Sequence, residues 1–361
     1  MPFRIPFAGE GQFFTPDSIL SHCYGALLPM FTTKEATTLR QLCKEFKSTV
    51  AEFPWEDETT VIKGSVAGWR TCFPRARWAN VMAYSDIINT KGRKTQVTDA
   101  DFVHLVGVKR LNMRWCSRIT DAGFVHLRGI HTLDMSFCYQ PTITDLALSH
   151  LKGINNLIMC SCSQPTITDQ AFSHLKGIHT LSMNFCSQPT ITDLAFSHLK
   201  GIHTLTMNYC KQPTITDLAF SHLKGIHTLI MSHCNQPTIT DAAFFHLKGI
   251  HTLYMSYCNQ PTITDQAFSH LKGIHTLIMA NCSQPTITDN AFSYLKDIHT
   301  LDMSFCSQPT ITAAAFQHHK GVRLDPQGCS LSVLEGALEA GLITKMHAGR
   351  IRKYASDYVV P

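Results

Sequence analysis

Between residues 107 and 325 the apolar positions recur with a period of 24, marked by Gly129, Gly153, Gly177, Gly201, Gly225, Gly249 and Gly273. Asp297 then stands in for one glycine and Gly321 closes the run. Self-similarity at this length is the mark of a solenoid, in which each unit packs only on its neighbours. The pattern predicts nine strand-bearing units, the first of which, from Gly107, is two residues short. In the unit beginning at Gly129, Leu133 and Met135 lie two apart and would share one face of a strand. Cys138 follows where the chain must turn, and its thiol is a small buried group able to bond the backbone weakly. Pro141 then breaks the ladder because it has no N–H to donate. Thr144 or Asp145 offers a helix cap, Ala147, Leu148 and Leu151 fall on one helical face, and Gly153 suits a left-handed exit. Each unit thus reads as a strand, a turn and a short helix. One unit buries too little to offset the ordering of its own backbone, so stability comes from stacking and the ends need caps.

The spacing of Ile130, Leu133, Met135 and Cys138 fits L-x-x-L-x-L-x-x-C, and Cys258, Ile263, Thr264 and Asp265 continue into I-T-D and a helix. This resembles the cysteine-containing subfamily of leucine-rich repeats. The resemblance implies an α/β solenoid, a leucine-rich-repeat horseshoe with a parallel concave sheet and short convex helices. It covers residues 95–325, leaving 326–361 as a C-terminal helical cap in which SLSVLEGALEAGLITKMHAGRIRKY reads as an amphipathic helix. Residues 56–94 read as a linker and N-terminal cap. Most units carry an added Gln-Pro, absent from the first at Cys116-Ser117-Arg118-Ile119. It is expected to widen a rim loop without altering the fold.

Residues 15–55 follow another pattern. Ile19, Leu20, Leu27, Leu28, Leu39, Leu42, Cys43, Phe46 and Val50 predict two or three short helices, and Thr32-Thr33-Lys34-Glu35 offers capping chemistry. The stretch LRQLCKEFKSTV, with Trp55 beyond it, resembles the F-box, a helical motif that docks the Skp-type adaptor of a cullin ubiquitin ligase. The resemblance implies that Pro16, Ile19, Leu20, Leu39, Leu42, Cys43 and Phe46 bind the adaptor. An F-box ahead of leucine-rich repeats is the order of F-box and leucine-rich-repeat proteins, and arrays this regular resemble those encoded by giant viruses of protists. Without the resemblance, the same helices read simply as a cap.

Two columns change from unit to unit. One is the residue between the inward strand positions, such as Asp134, Ile230, Tyr254, Ile278 and Asp302. The other precedes each column cysteine, as do Tyr209, His233 and Tyr257. Period-two geometry places the first column on the concave face and the second along its edge. These eight residues are the candidate target-binding set, with aromatic and aliphatic character suited to a protein hot spot.

Composition narrows the rest. A 361-residue chain that is 44% apolar and has a net charge of +5 suits a folded protein without a strongly basic balance. The only dense basic run is KMHAGRIRKY, so no nucleic-acid partner is expected. No apolar stretch is long enough for a membrane span or a signal peptide, so a cytoplasmic or nuclear location is expected. Nine of the 14 cysteines form one column, expected to be reduced and buried rather than disulfide-bonded. Histidine columns such as His203 and His227 are expected to face solvent or stack, destabilising the fold on acidification, with no metal and no cofactor. No phosphate loop, H-E-x-x-H or G-x-S-x-G occurs, and Cys160 reads as an incidental thiol, so no enzyme is expected. The reading is a substrate receptor for a cullin-type ligase, or failing that a repeat scaffold unconnected with ubiquitin.

Overall fold

The computed structural model describes residues 27–41, 44–83, 97–317 and 319–344. Eleven three-residue strands form a single parallel sheet in chain order, from β1 (Trp78–Asn80) to β11 (Arg323–Asp325). Register is held by like against like: Leu229 pairs with Leu253, and Thr228 with Thr252. The inward residues of each repeat, such as Leu133, Met135, Cys138, Ile143, Ala147 and Leu148, are fully buried in one continuous core. This is the leucine-rich-repeat solenoid that the sequence pattern predicts.

The period finds nine strands where the sheet has eleven. The two it misses close the ends. In β1 the inward positions are Ala79 and Val81 instead of Leu and Met, and β11 belongs to a unit whose Gly-Val-Arg-Leu lacks one residue of the repeat. Neither carries the repeat's apolar signature, although both pair in register.

Each unit turns at its cysteine. Cys138 N–H donates to the Met135 carbonyl across a four-residue turn, and the Cys138 thiol donates to Met113 O of the preceding unit at 3.2 Å. Thr144 caps the following helix, Asp145–Ser149, by accepting from Leu146 N–H. Asp145 does something else: its carboxylate takes Thr168 N–H and Thr168 Oγ1 of the next unit, both at 2.7 Å. This staple recurs from Asp99–Thr120 to Asp289–Thr312. The Gln-Pro insertion, expected to widen a rim loop, is instead internal to the stack at its glutamine: Gln164 is buried and its Nε2 donates to Cys138 O at 3.1 Å. Gly153 leaves the helix at φ 84°, the left-handed conformation expected of it.

Both ends are sealed. At the C-terminal end a helix, Leu331–Glu339, buries Val333, Leu334 and Ala337 and is capped by Ser330. Gly336 lies so close to Ala313 that a Cβ there would sit 2.4 Å from the Ala313 Cα. The amphipathic helix read for this segment is shorter than the pattern implied, since the chain leaves it at Ala340 and Gly341 has φ 70°. At the other end, α1 (Thr33–Leu39), α2 (Lys44–Glu52) and α3 (Val66–Cys72) enclose a second core of Leu28, Ala36, Val50, Trp55, Phe73 and Ala76, and Trp69 packs against both cores. Thr32 and Glu35 form a capping box at α1. Burial opposes ionisation of Asp57, but the hydrogen bonds it accepts from Thr33, Thr60 and Thr59 outweigh it and hold its carboxyl well below the usual range. Trp55 is buried, and its indole N–H donates to Val50 O at 2.7 Å.

Candidate binding surface

The concave face is set by the third residue of each strand. On β7 (Thr228–Ile230), β8 (Thr252–Tyr254) and β9 (Thr276–Ile278), Ile230, Tyr254 and Ile278 stand in register on adjacent strands, each half-buried. They form an unbroken apolar row bordered by the threonines that begin the same strands. The next outward position, two residues on, adds a further concave column, of which the sequence reading places only Cys160 on this side. It contains Cys160, Asn184, Asn208 and Ser232, linked in part by Asn184 Oδ1 accepting Asn208 N–H at 2.8 Å and Asn208 Oδ1 accepting Ser232 N–H at 2.7 Å. The same period of two that marks Ile230 would have marked this column.

Tyr209, His233 and Tyr257 lie apart from that row, in the cysteine turn along the sheet's edge. They have φ of 59°, 62° and 59°, and the same position has positive φ in every unit from Trp115 to Phe305. A bulky residue in this region carries strain of about 1–3 kcal/mol. The conformation lets equivalent rings meet: Phe185 stacks on Tyr209 at 4.4 Å, Tyr209 on His233 at 4.0 Å, and His233 on Tyr257 at 4.1 Å. Partial burial, and then the charge of Lys211, lower the His233 pKa, so its ring lies neutral between the two tyrosines at pH 7. Six of the eight candidate residues therefore gather within neighbouring units, in a concave row and an edge stack.

Asp302, paired in register with Ile278, borders that patch directly, whereas Asp134 stands away from it. Asp134 is on β3 (Thr132–Asp134), four strands from Ile230, and its Oδ1 accepts Ser136 N–H and Oγ while Oδ2 lies 3.9 Å from Arg114 Nε. Asp302, on β10 (Thr300–Asp302), accepts Ser304 N–H at 2.9 Å. Both carboxylates are engaged within their own turns.

Of the seven residues assigned to adaptor binding, Leu39 ends α1 and is half-buried. Pro16, Ile19, Leu20, Leu42 and Cys43 lie outside the described residues, as does the Phe46 side chain. The described column cysteines are buried free thiols. Burial pushes Cys186 and Cys234 up to about 12. Cys160 is half-buried beside Ser182 Oγ, at 3.2 Å. The exposed imidazoles stack, with ring centroids 4.5 Å apart for His203 and His227. Among the described residues no three His, Cys, Asp or Glu side chains converge as a metal site, and no helix is long and apolar enough to cross a membrane. A second histidine column, including His174, is half-buried.

Solved structures share this architecture. The chain superposes on the TLR13–ssRNA13 complex with a TM-score of 0.54 at 19% identity, over 73% of this chain and 37% of that one. It matches an internalin (InlF) from Listeria monocytogenes with a TM-score of 0.50 at 16% identity, over 69% of this chain and 70% of that one. The chain therefore spans little more than a third of the TLR13 chain. No protein-family model matches the chain, and no curated protein matches it in sequence. At these identities the likeness establishes the leucine-rich-repeat fold.

Proposed function

We propose that this protein is a non-catalytic receptor whose concave face binds a protein target and whose N-terminal helices dock a Skp-type adaptor, and through it a cullin. Such a receptor contributes proximity, holding a target where a ubiquitin-charged enzyme can reach its lysines. The observation that carries the target-binding part is the in-register row Ile230, Tyr254 and Ile278, apolar groups on an otherwise threonine- and serine-rich face. The adaptor part rests on the F-box-like spacing of Leu39, Leu42, Cys43 and Phe46, and on its place ahead of the repeats. The setting for this role is the cytoplasm or nucleus.

The test is co-purification of the full chain with a purified Skp-type adaptor, compared with a Leu42→Ala/Phe46→Ala variant. Binding that is lost in the variant, while the thermal melt of the solenoid is unchanged, is the expected result. Failure of the unaltered chain to bind any Skp-type adaptor would refute the ligase assignment and leave a repeat scaffold unconnected with ubiquitin.

A further inference from the structure

The edge of the sheet opposite the cysteine turn is built from K-G-I-H-T, repeated nearly unchanged. Backbone hydrogen bonds align its histidine position across the units: His131 N–H donates to Lys109 O, Asn155 to His131, His179 to Asn155, and so on to His299, while Lys109 N–H donates to Arg77 O. Three residues before each position of this column from His131 on, which is Asn155 in one unit and Arg323 in the last, stands a cation, first Arg128 and then the lysine of every unit from Lys152 to Lys320, all exposed. None of these pairs with a carboxylate among the described residues, whose ion pairs are Arg75–Glu52, Arg77–Glu56 and Arg114–Asp134. Asp297, beside Lys296, is the one acidic residue in this repeated segment. The repeated helix aspartates belong to the other edge, held there by threonines. At its N-terminal end the basic edge meets a shallow cavity of about 350 Å³ lined by Arg70, Arg75, Arg77 and Lys109, with Glu52.

Adjacent strands are about 4.8 Å apart. That is well inside a Debye length of about 8 Å at physiological salt, so the fields of neighbouring lysines add. Because the same residues recur at each step, the edge matches a ligand that is itself one charged unit repeated in a line. A folded acidic protein offers no such charge repeat. The imidazoles from His179 to His299 stack on one another at 4.5–4.6 Å, which leaves no ring face within the column for a base to stack on. Their Nδ1 atoms lie 3.0–3.2 Å from the neighbouring threonine Oγ1 atoms. Contact would therefore be to a backbone of anions and independent of base sequence. We propose that this lysine–histidine edge is a second binding surface, distinct from the concave face, that takes a linear chain of phosphates. The shared chemistry covers a single nucleic-acid strand and inorganic polyphosphate.

The experiment uses the full chain and fluorescence anisotropy with two labelled probes, an unstructured uridine homopolymer and an inorganic polyphosphate of similar charge, across a salt series. Binding should weaken with salt by about 0.7 log units in affinity per log unit of salt for each phosphate engaged by a single strand. Lys200→Glu/Lys224→Glu/Lys248→Glu should lower affinity at least tenfold and flatten the salt slope. Lys34→Glu/Lys63→Glu/Lys211→Glu makes the same change of net charge away from this edge and should leave affinity within about twofold, as expected for charges not in contact. A Lys→Gln set at the three edge positions, with an intermediate loss expected, guards against an effect of charge reversal on folding. Preference for the uridine polymer identifies a nucleic-acid strand, and preference for the other probe identifies polyphosphate. Equal losses in the edge and control variants, absence of binding to both probes at low salt, or tighter binding of heparin than of either would overturn the proposal.

Discussion

The aspartate staple between units should be the most sensitive point of the stack. Asp217 Oδ1 accepts Thr240 N–H and its Oδ2 accepts Thr240 Oγ1, both at 2.7 Å, while Thr240 Oγ1 also accepts Ala242 N–H to cap its own helix. A hydrogen bond to a charged group contributes about 1.5–3 kcal/mol net. The carboxylate is half-buried, so the low end applies, and loss of two such bonds in Asp217→Ala should cost about 3 kcal/mol. Asp217→Asn can keep Oδ1 on the backbone N–H and turn Nδ2 toward the hydroxyl oxygen, trading charged bonds for neutral ones at a cost of about 1 kcal/mol. Urea unfolding followed by circular dichroism measures both. Thr240→Val should cost less in the Asp217→Ala background than alone, because the shared contact is already gone. An alanine cost below about 1 kcal/mol, or asparagine as damaging as alanine, would refute the assignment of interface stability to this pair.

Acidification acts on the imidazole column. Desolvation, and then the charges of His227 with His179 or His275, lower the pKa values of His203 and His251 in the fold. The folded state thus binds fewer protons than an unfolded chain with histidine pKa of about 6.5. Stability is fully present above that value and declines as pH falls through it toward the folded pKa. The melting temperature should be lower at pH 5.5 than at 7.5, and His227→Asn, which copies the natural interruption at Asn155, should reduce the difference; a flat profile would count against the ladder. The cysteines offer a separate check. Burial pushes Cys116, Cys186, Cys234 and Cys282 up to about 12, so thiol reagents should label Cys72 and Cys160 first among the described cysteines and reach the column only on unfolding. Rapid native labelling of Cys210 or Cys258, both buried, would contradict the packing.

What was legible in the sequence is what a period can carry. Leu133, Met135, Cys138, Ala147 and Leu148 announce themselves by recurrence, and all are buried. The first strand was not legible because Ala79 and Val81 offer little apolar contrast, and its pairing is visible only once Ala79 lies beside Leu111. Thr144 and Asp145 are both good cap residues, so local chemistry could not assign the cap to one and the staple to the other. The division follows from the next unit, whose Thr168 presents two donors to Asp145. The buried glutamine ladder was hidden for a similar reason: a Gln beside a Pro reads as loop until Cys138 O supplies a partner for Gln164. The left-handed turn was less accessible still, since Trp115, Phe137 and Tyr257 are not residues expected at φ near 60°.

Repetition also explains why the basic edge escapes a reading along the chain. One lysine in 24 residues is unremarkable locally, whereas stacking sets eight of them, from Lys152 to Lys320, in a line at strand spacing. Invariant columns can present only a repeated surface, which suits a repeated ligand. Variable columns, such as the one carrying Ile230, Tyr254 and Ile278, can present a surface found nowhere else on the molecule, which suits a unique target. The two surfaces should therefore respond differently to a single substitution. Changing one edge lysine removes one of eight similar contacts and should weaken a polyanion modestly, while Tyr254→Ala removes the centre of a short apolar row, where truncating a hot-spot residue costs about 2 kcal/mol or more. If polyanion binding collapsed on loss of a single lysine, the edge would be a discrete site and the reasoning from repetition would fail.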